Sequence, residues 1–160
     1  MDDEFDAPYE PQLVPEGACG PVIKYCLSPT NGRLEWIQAI VCKKHLNEGE
    51  EITEEMCKFL LKGDKNEMDT PSLIVHKSLG RKGNEFWNVF LQGRSFDRET
   101  YDNEVESTVY YAVQGGGNDA KAKITVRFLF KDAIITRPFK LCYQVELPNG
   151  DVIENDLPNV

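Results

Sequence analysis

The sequence contains no apolar run approaching the roughly 18–20 residues that span a bilayer, which excludes a membrane-crossing helix. It has no Asn-x-Ser/Thr sequon. Its start, MDDEFDAPYEP, is acidic where a secretory signal is basic and then apolar. These features point to an intracellular protein, cytoplasmic or nuclear, with no membrane partner. Histidine is scarce: His45 and His76 are the only two, so imidazole chemistry has few placements. No P-loop, HExxH or GxSxG motif occurs, and the phosphate, zinc-protease and nucleophile-elbow chemistries that use them lack support. Gly115-x-Gly117-x-x-Ala120 matches a dinucleotide fingerprint in letters alone. That chemistry needs a helix N-terminus aimed at the pyrophosphate, and the following KAKITVRFLF reads as a strand.

What is present begins with negative charge. The 160 residues carry 18 Lys+Arg and 27 Asp+Glu, a formal net charge of −9. Residues 1–21 hold Asp2, Asp3, Glu4, Asp6, Glu10 and Glu16 with no Lys or Arg. Residues 22–95 hold 11 basic and 10 acidic side chains, and residues 96–160 hold 7 and 11. Pro8, Pro11 and Pro15 fall inside the acidic start and argue against helix or central strand there. Residues 1–18 are therefore expected to be a disordered acidic tail, with Phe5, Tyr9 and Leu13 as anchors for a protein partner that is itself basic. Residues 19–160 are expected to form a single compact body, with a subdomain join near 95–106.

The pattern of that body is α+β and mostly β: six to eight short antiparallel strands with one principal helix near 53–62. Residues 21–27 and 34–43 read as strands around Asn31-Gly32, a hairpin signal. Ile52, Met56, Phe59 and Leu60 recur at helical spacing behind an N-cap at Thr53. Residues 72–78, 85–92, 106–114, 123–130, 139–147 and 151–155 read as further strands, the last two joined through Pro148-Asn149-Gly150.

Five cysteines, Cys19, Cys26, Cys42, Cys57 and Cys142, are an odd number and suit reduced thiols. Cys19, Cys26, Cys42 and His45 supply four zinc-type donors, although Cys42 and His45 alone are closely spaced. With that zinc reading aside, no cofactor is expected. A basic-aromatic constellation remains: Lys77, Arg81, Lys82 and Arg94 bracket Phe86, Trp87 and Phe90. Single-stranded nucleic acid is held by such a mixture, cations meeting phosphates and flat rings stacking on bases. The competing reading places Phe86-Trp87-Asn88-Val89-Phe90-Leu91 in a buried central strand.

Several pieces of residues 19–92 occur in a familiar order: Cys19-Gly20, then Ile52-Thr53-Glu54-Glu55, then Leu60-Leu61-Lys62-Gly63. Lys77-Ser78-Leu79-Gly80-Arg81-Lys82-Gly83 and the Phe86–Leu91 strand follow. This stretch resembles the C-terminal repeat module of type IA topoisomerases. The resemblance implies contact with single-stranded DNA, and it does not reach residues 96–160. Weighed together, these readings favour a non-catalytic protein-binding module, an adaptor or an inhibitor, rather than an enzyme. The alternative is a single-stranded nucleic-acid-binding accessory factor using Lys77, Arg81, Lys82, Trp87 and Arg94. An enzyme of unrecognised class stands third.

Overall fold

The computed structural model describes residues 4–15, 18, 20–80 and 85–160. Its main layer is a six-stranded antiparallel sheet in the order β1-β2-β3-β6-β7-β8. The strands are β1 (Gln12–Leu13), β2 (Val22–Leu27), β3 (Leu34–Cys42), β6 (Lys121–Leu129), β7 (Lys140–Glu146) and β8 (Val152–Pro158). A separate ribbon pairs β4 (Thr70–Leu73) with β5 (Val89–Gln92). Gly32 and Gly150 take positive φ, 73° and 94°, in the turns before β3 and β8. That left-handed backbone is why glycine stands at both positions. The strand-rich α+β class is as the pattern of the chain anticipates.

One face of the sheet is apolar and buried. Ile37, Ala39 and Val41 on β3 align with Val126, Ile124 and Ala122 on β6, and Val126 and Ile124 align in turn with Tyr143 and Val145 on β7. A helix over residues 98–114 lies on this face: α2 (Arg98–Tyr101), a π-helical stretch (Asp102–Ser107) and α3 (Thr108–Gln114). Its buried stripe is Tyr101, Val105, Val109 and Val113. At 3.6 residues per turn, each step of four overshoots the stripe by about 40°. The wider π turn reverses that drift and holds all four side chains on one face.

This helix replaces the expected strand at 106–114. Thr108, Val109, Tyr110, Tyr111 and Val113 favour strands intrinsically, but burial of a four-residue repeat on the sheet overrides that preference. Phe96, Tyr101 and Val105 belong to the same buried cluster as the sheet. The expected helix near 53–62 is present as α1 (Glu54–Leu61), and Thr53 Oγ1 accepts the Met56 amide as its N-cap. It is the shorter of the two, and none of its residues is buried.

The acidic N-terminal segment departs from a free tail. Phe5 is 6% exposed, and its carbonyl accepts the Trp36 indole N–H at 2.8 Å. The Tyr9 carbonyl accepts Cys26 Sγ–H at 3.3 Å, and Gln12–Leu13 pair with β2. Backbone pairing and a buried indole that needs an acceptor hold the segment down. No helix among the described residues is long and apolar enough to cross a membrane.

Candidate functional site

Beyond β4 the chain runs through Ile74 and Val75, both buried, to His76. Three groups fix this extension. Asn88, fully buried, accepts the Val75 amide on Oδ1 at 2.8 Å and donates to the Val75 carbonyl at 2.9 Å. Tyr101 Oη–H donates to the Ile74 carbonyl at 2.6 Å, and Arg98 donates to the Leu73 carbonyl at 3.1 Å. A 3-10 turn, Lys77–Leu79, follows His76 and closes on Gly80 at φ 101°. There a Cβ would meet the His45 backbone at 2.7 Å.

The π-helical stretch directs alternate carboxylates to separate partners. Asp102 pairs with Arg98 at 2.8 Å. Glu104 accepts Tyr143 Oη–H at 2.6 Å and the Asn155 amide at 2.8 Å. Glu106 reaches His76, Oε2 to Nδ1 at 2.5 Å, and accepts Ser78 Oγ–H at 2.8 Å. Burial and the Glu104 contact together push the Tyr143 phenol far up. Burial does the same to Tyr101. Both therefore act as neutral hydrogen-bond donors.

His76 is held on its Nδ1 side, by Glu106 Oε2 at 2.5 Å and by the Ser78 amide, which donates to the same nitrogen at 3.2 Å. The His76 side chain is 30% exposed and that of Glu106 is 22% exposed. Both side chains are thus partly open to solvent. An imidazole held by a carboxylate is the arrangement of a general base.

The residues expected to form sites are dispersed. Lys77 forms an ion pair with Glu51 beside the pair. Arg81 and Lys82 lie outside the described residues. Trp87 is half-buried in a 3-10 turn, Phe86–Asn88, rather than in a strand. One face of its ring stacks on Tyr25 at 5.5 Å and 13°, and its Nε1–H donates to Glu85 at 2.7 Å. Arg94 is exposed but follows β5 at the end of the ribbon remote from His76, since Leu73 pairs with Val89 and Thr70 with Gln92. No single face gathers Lys77, Trp87 and Arg94. Of the proposed anchors, Phe5 is buried, whereas Tyr9 and Leu13 are 40% and 73% exposed.

The zinc set does not assemble among the described residues. Cys26 faces Trp36 across β2 and β3, and Cys42 lies six residues further along β3, about 20 Å at roughly 3.4 Å per residue. Burial pushes the Cys26 thiol up, away from the thiolate a metal takes. His45 Nδ1 instead accepts the Cys42 amide at 3.0 Å. Cys19 lies outside the described residues. The described cysteines, Cys26, Cys42, Cys57 and Cys142, are free thiols.

Glu106 and Asn88 escape a reading of the sequence because both were placed in expected strands. The repeat Tyr101, Val105, Val109, Val113 was the available signal for a helix that presents Glu106.

No family model and no curated protein matches the sequence. Solved structures do match in fold. NucA from Streptococcus agalactiae with magnesium bound superimposes with a TM-score of 0.57 at 13% identity, over 93% of this chain and 76% of that chain. The metal-free form gives 0.54 at 12% identity, over 100% and 76%. The fold is similar to that of NucA, a nuclease. This likeness corrects three expectations: the topoisomerase-module resemblance, the non-catalytic adaptor or inhibitor, and the reading that the chain is not an enzyme. Residues 19–92 do not form a module of their own, because β2 and β3 complete a sheet with β6, β7 and β8.

NucA was solved with magnesium, an ion that takes six oxygen donors in near-octahedral geometry. Among the described residues, no group of three or more His, Cys, Asp or Glu side chains is arranged to hold a metal ion. The described side chains do not by themselves assemble such a site.

Proposed function

We propose that this protein hydrolyses phosphodiester bonds of nucleic acid, with His76 as general base and Glu106 as its positioning residue. The observation that carries this reading is the 2.5 Å contact from His76 Nδ1 to Glu106 Oε2, in a fold similar to a nuclease. His76 Nε2 takes a proton from water as the water oxygen bonds to phosphorus. The P–O bond to the leaving oxygen breaks, and that oxygen takes a proton from solvent. A positioned base contributes about 10²–10⁴-fold to such a step. Lys77, Arg81 and Lys82 follow His76 closely in the chain and are the cations proposed to meet the phosphates.

The test is cleavage of single-stranded DNA, duplex DNA and RNA, each with magnesium and with a chelator. His76→Ala should lose at least about 100-fold in rate, and Glu106→Gln about 10-fold, with circular dichroism unchanged in both. Undiminished cleavage by His76→Ala would overturn the assignment, as would no cleavage of any substrate by the native chain.

A further inference from the structure

A cavity of about 560 Å³ lies away from His76. Phe128 of β6, Phe90 and Leu91 of β5, and Leu34 of β3 line it. Its cover is α1, through Phe59 and Leu60. That cover is incompletely packed: no α1 residue is buried, and Phe59 is 63% exposed. An amphipathic helix normally buries its apolar stripe, so this one holds apolar surface over an apolar space of ligand-binding size.

The acidic groups next to the cavity, Glu35 and Asp64, are engaged with the lining residues Arg33 and Thr136. Among the described residues lining it, the charged ones are Arg33 and Lys62, both cationic, and no carboxylate lines it. Arg33 is committed to its own surroundings: Nε meets Glu35 at 3.1 Å, and Nη1 meets the carbonyls of Asp132 and Ile135. Lys62, the exposed C-cap of α1, stands at the rim. We propose that this cavity binds a single amphipathic carboxylate of the long-chain fatty-acid class, its chain on Phe90 and Phe128 and its head at Lys62. The proposal is independent of the phosphodiesterase reading.

Dodecanoate, dodecanol and dodecyltrimethylammonium, each below its micelle concentration, serve as probes in calorimetric titrations of the full chain. We expect one saturable dodecanoate site per chain, with the ammonium at least tenfold weaker and the alcohol between them. Lys62→Glu should weaken dodecanoate at least tenfold and narrow the gap to the ammonium. Leu60→Gln, on a helix without core residues, should weaken all three alike. Equal affinity for the anion and the cation would overturn the proposal, as would no saturable binding or indifference to both substitutions. Dimerisation that buries α1, or binding of an apolar helical peptide in place of dodecanoate, would also overturn it.

Discussion

The two helices of this protein teach opposite lessons. α1 has a sequence-evident apolar stripe, a Thr53 cap and acidic residues in its first turn, yet it carries no core residue. The helix over 98–114 is written in strand-favouring residues, yet it supplies Tyr101, Val105, Val109 and Val113 to the core. Periodicity reports that an element can be amphipathic. The energy comes from what the stripe meets, and there α1 meets a cavity and the longer helix meets a sheet.

The sharpest way to break that contrast is to place one charge on each helix. Val109→Asp buries an uncompensated carboxylate at a fully buried site and should cost about 4 kcal/mol or more. Phe59→Asp should stay within about 1 kcal/mol. Chemical denaturation measures both, and similar losses would show that α1 packs as tightly as the longer helix.

A smaller loss follows from Asn88→Ala. It leaves both Val75 backbone groups without the partners that Asn88 supplies and should cost about 2–3 kcal/mol. It should also lower any cleavage, because those bonds hold the approach to His76. Stability lost with cleavage intact would separate Asn88 from the site.

The N-terminal segment offers a third comparison, with the body it lies on. Phe5→Ala should cost about 1–2 kcal/mol. It should also shift Trp36 fluorescence to longer wavelength as water reaches the indole. An unchanged spectrum and melting temperature would restore the free acidic tail.

The smallest expected effect is in alkali. Tyr101 and Tyr143 have an ordinary value of 10.0 and are both raised in the fold. Above pH 10 the unfolded chain therefore releases those protons first and binds fewer than the native state, so stability falls as pH rises. Denaturation from pH 8 to 11.5 should show a decline that begins near 10 and is shallower in the double variant Tyr101→Phe/Tyr143→Phe. An identical slope in that variant would remove these phenols as the cause.

Much of the sheet is legible in the chain itself. Alternation in 123–130, which appears as β6, and the turns at Gly32 and Gly150 depend on neighbours one or two residues away. The candidate site is not legible in this way. His76 is an ordinary strand-end histidine until Glu106 is brought to it from 30 residues downstream, and that meeting depends on a π turn supported by the core. The zinc set fails for the same reason in reverse. Cys26 and Cys42 are near in sequence, but adjacent antiparallel strands carry them apart.

By itself the sequence determined the α+β class, most strands, the α1 cap and the concentration of acid near the start, because each rests on local sterics, periodicity or composition. Tertiary structure decided the rest. It made a helix of 98–114, drew the acidic segment onto Trp36, and set Glu106 against His76. Each outcome turns on burial between residues far apart in the chain, where packing outweighs local preferences of a few tenths of a kcal/mol, on the order of those separating ordinary helix formers.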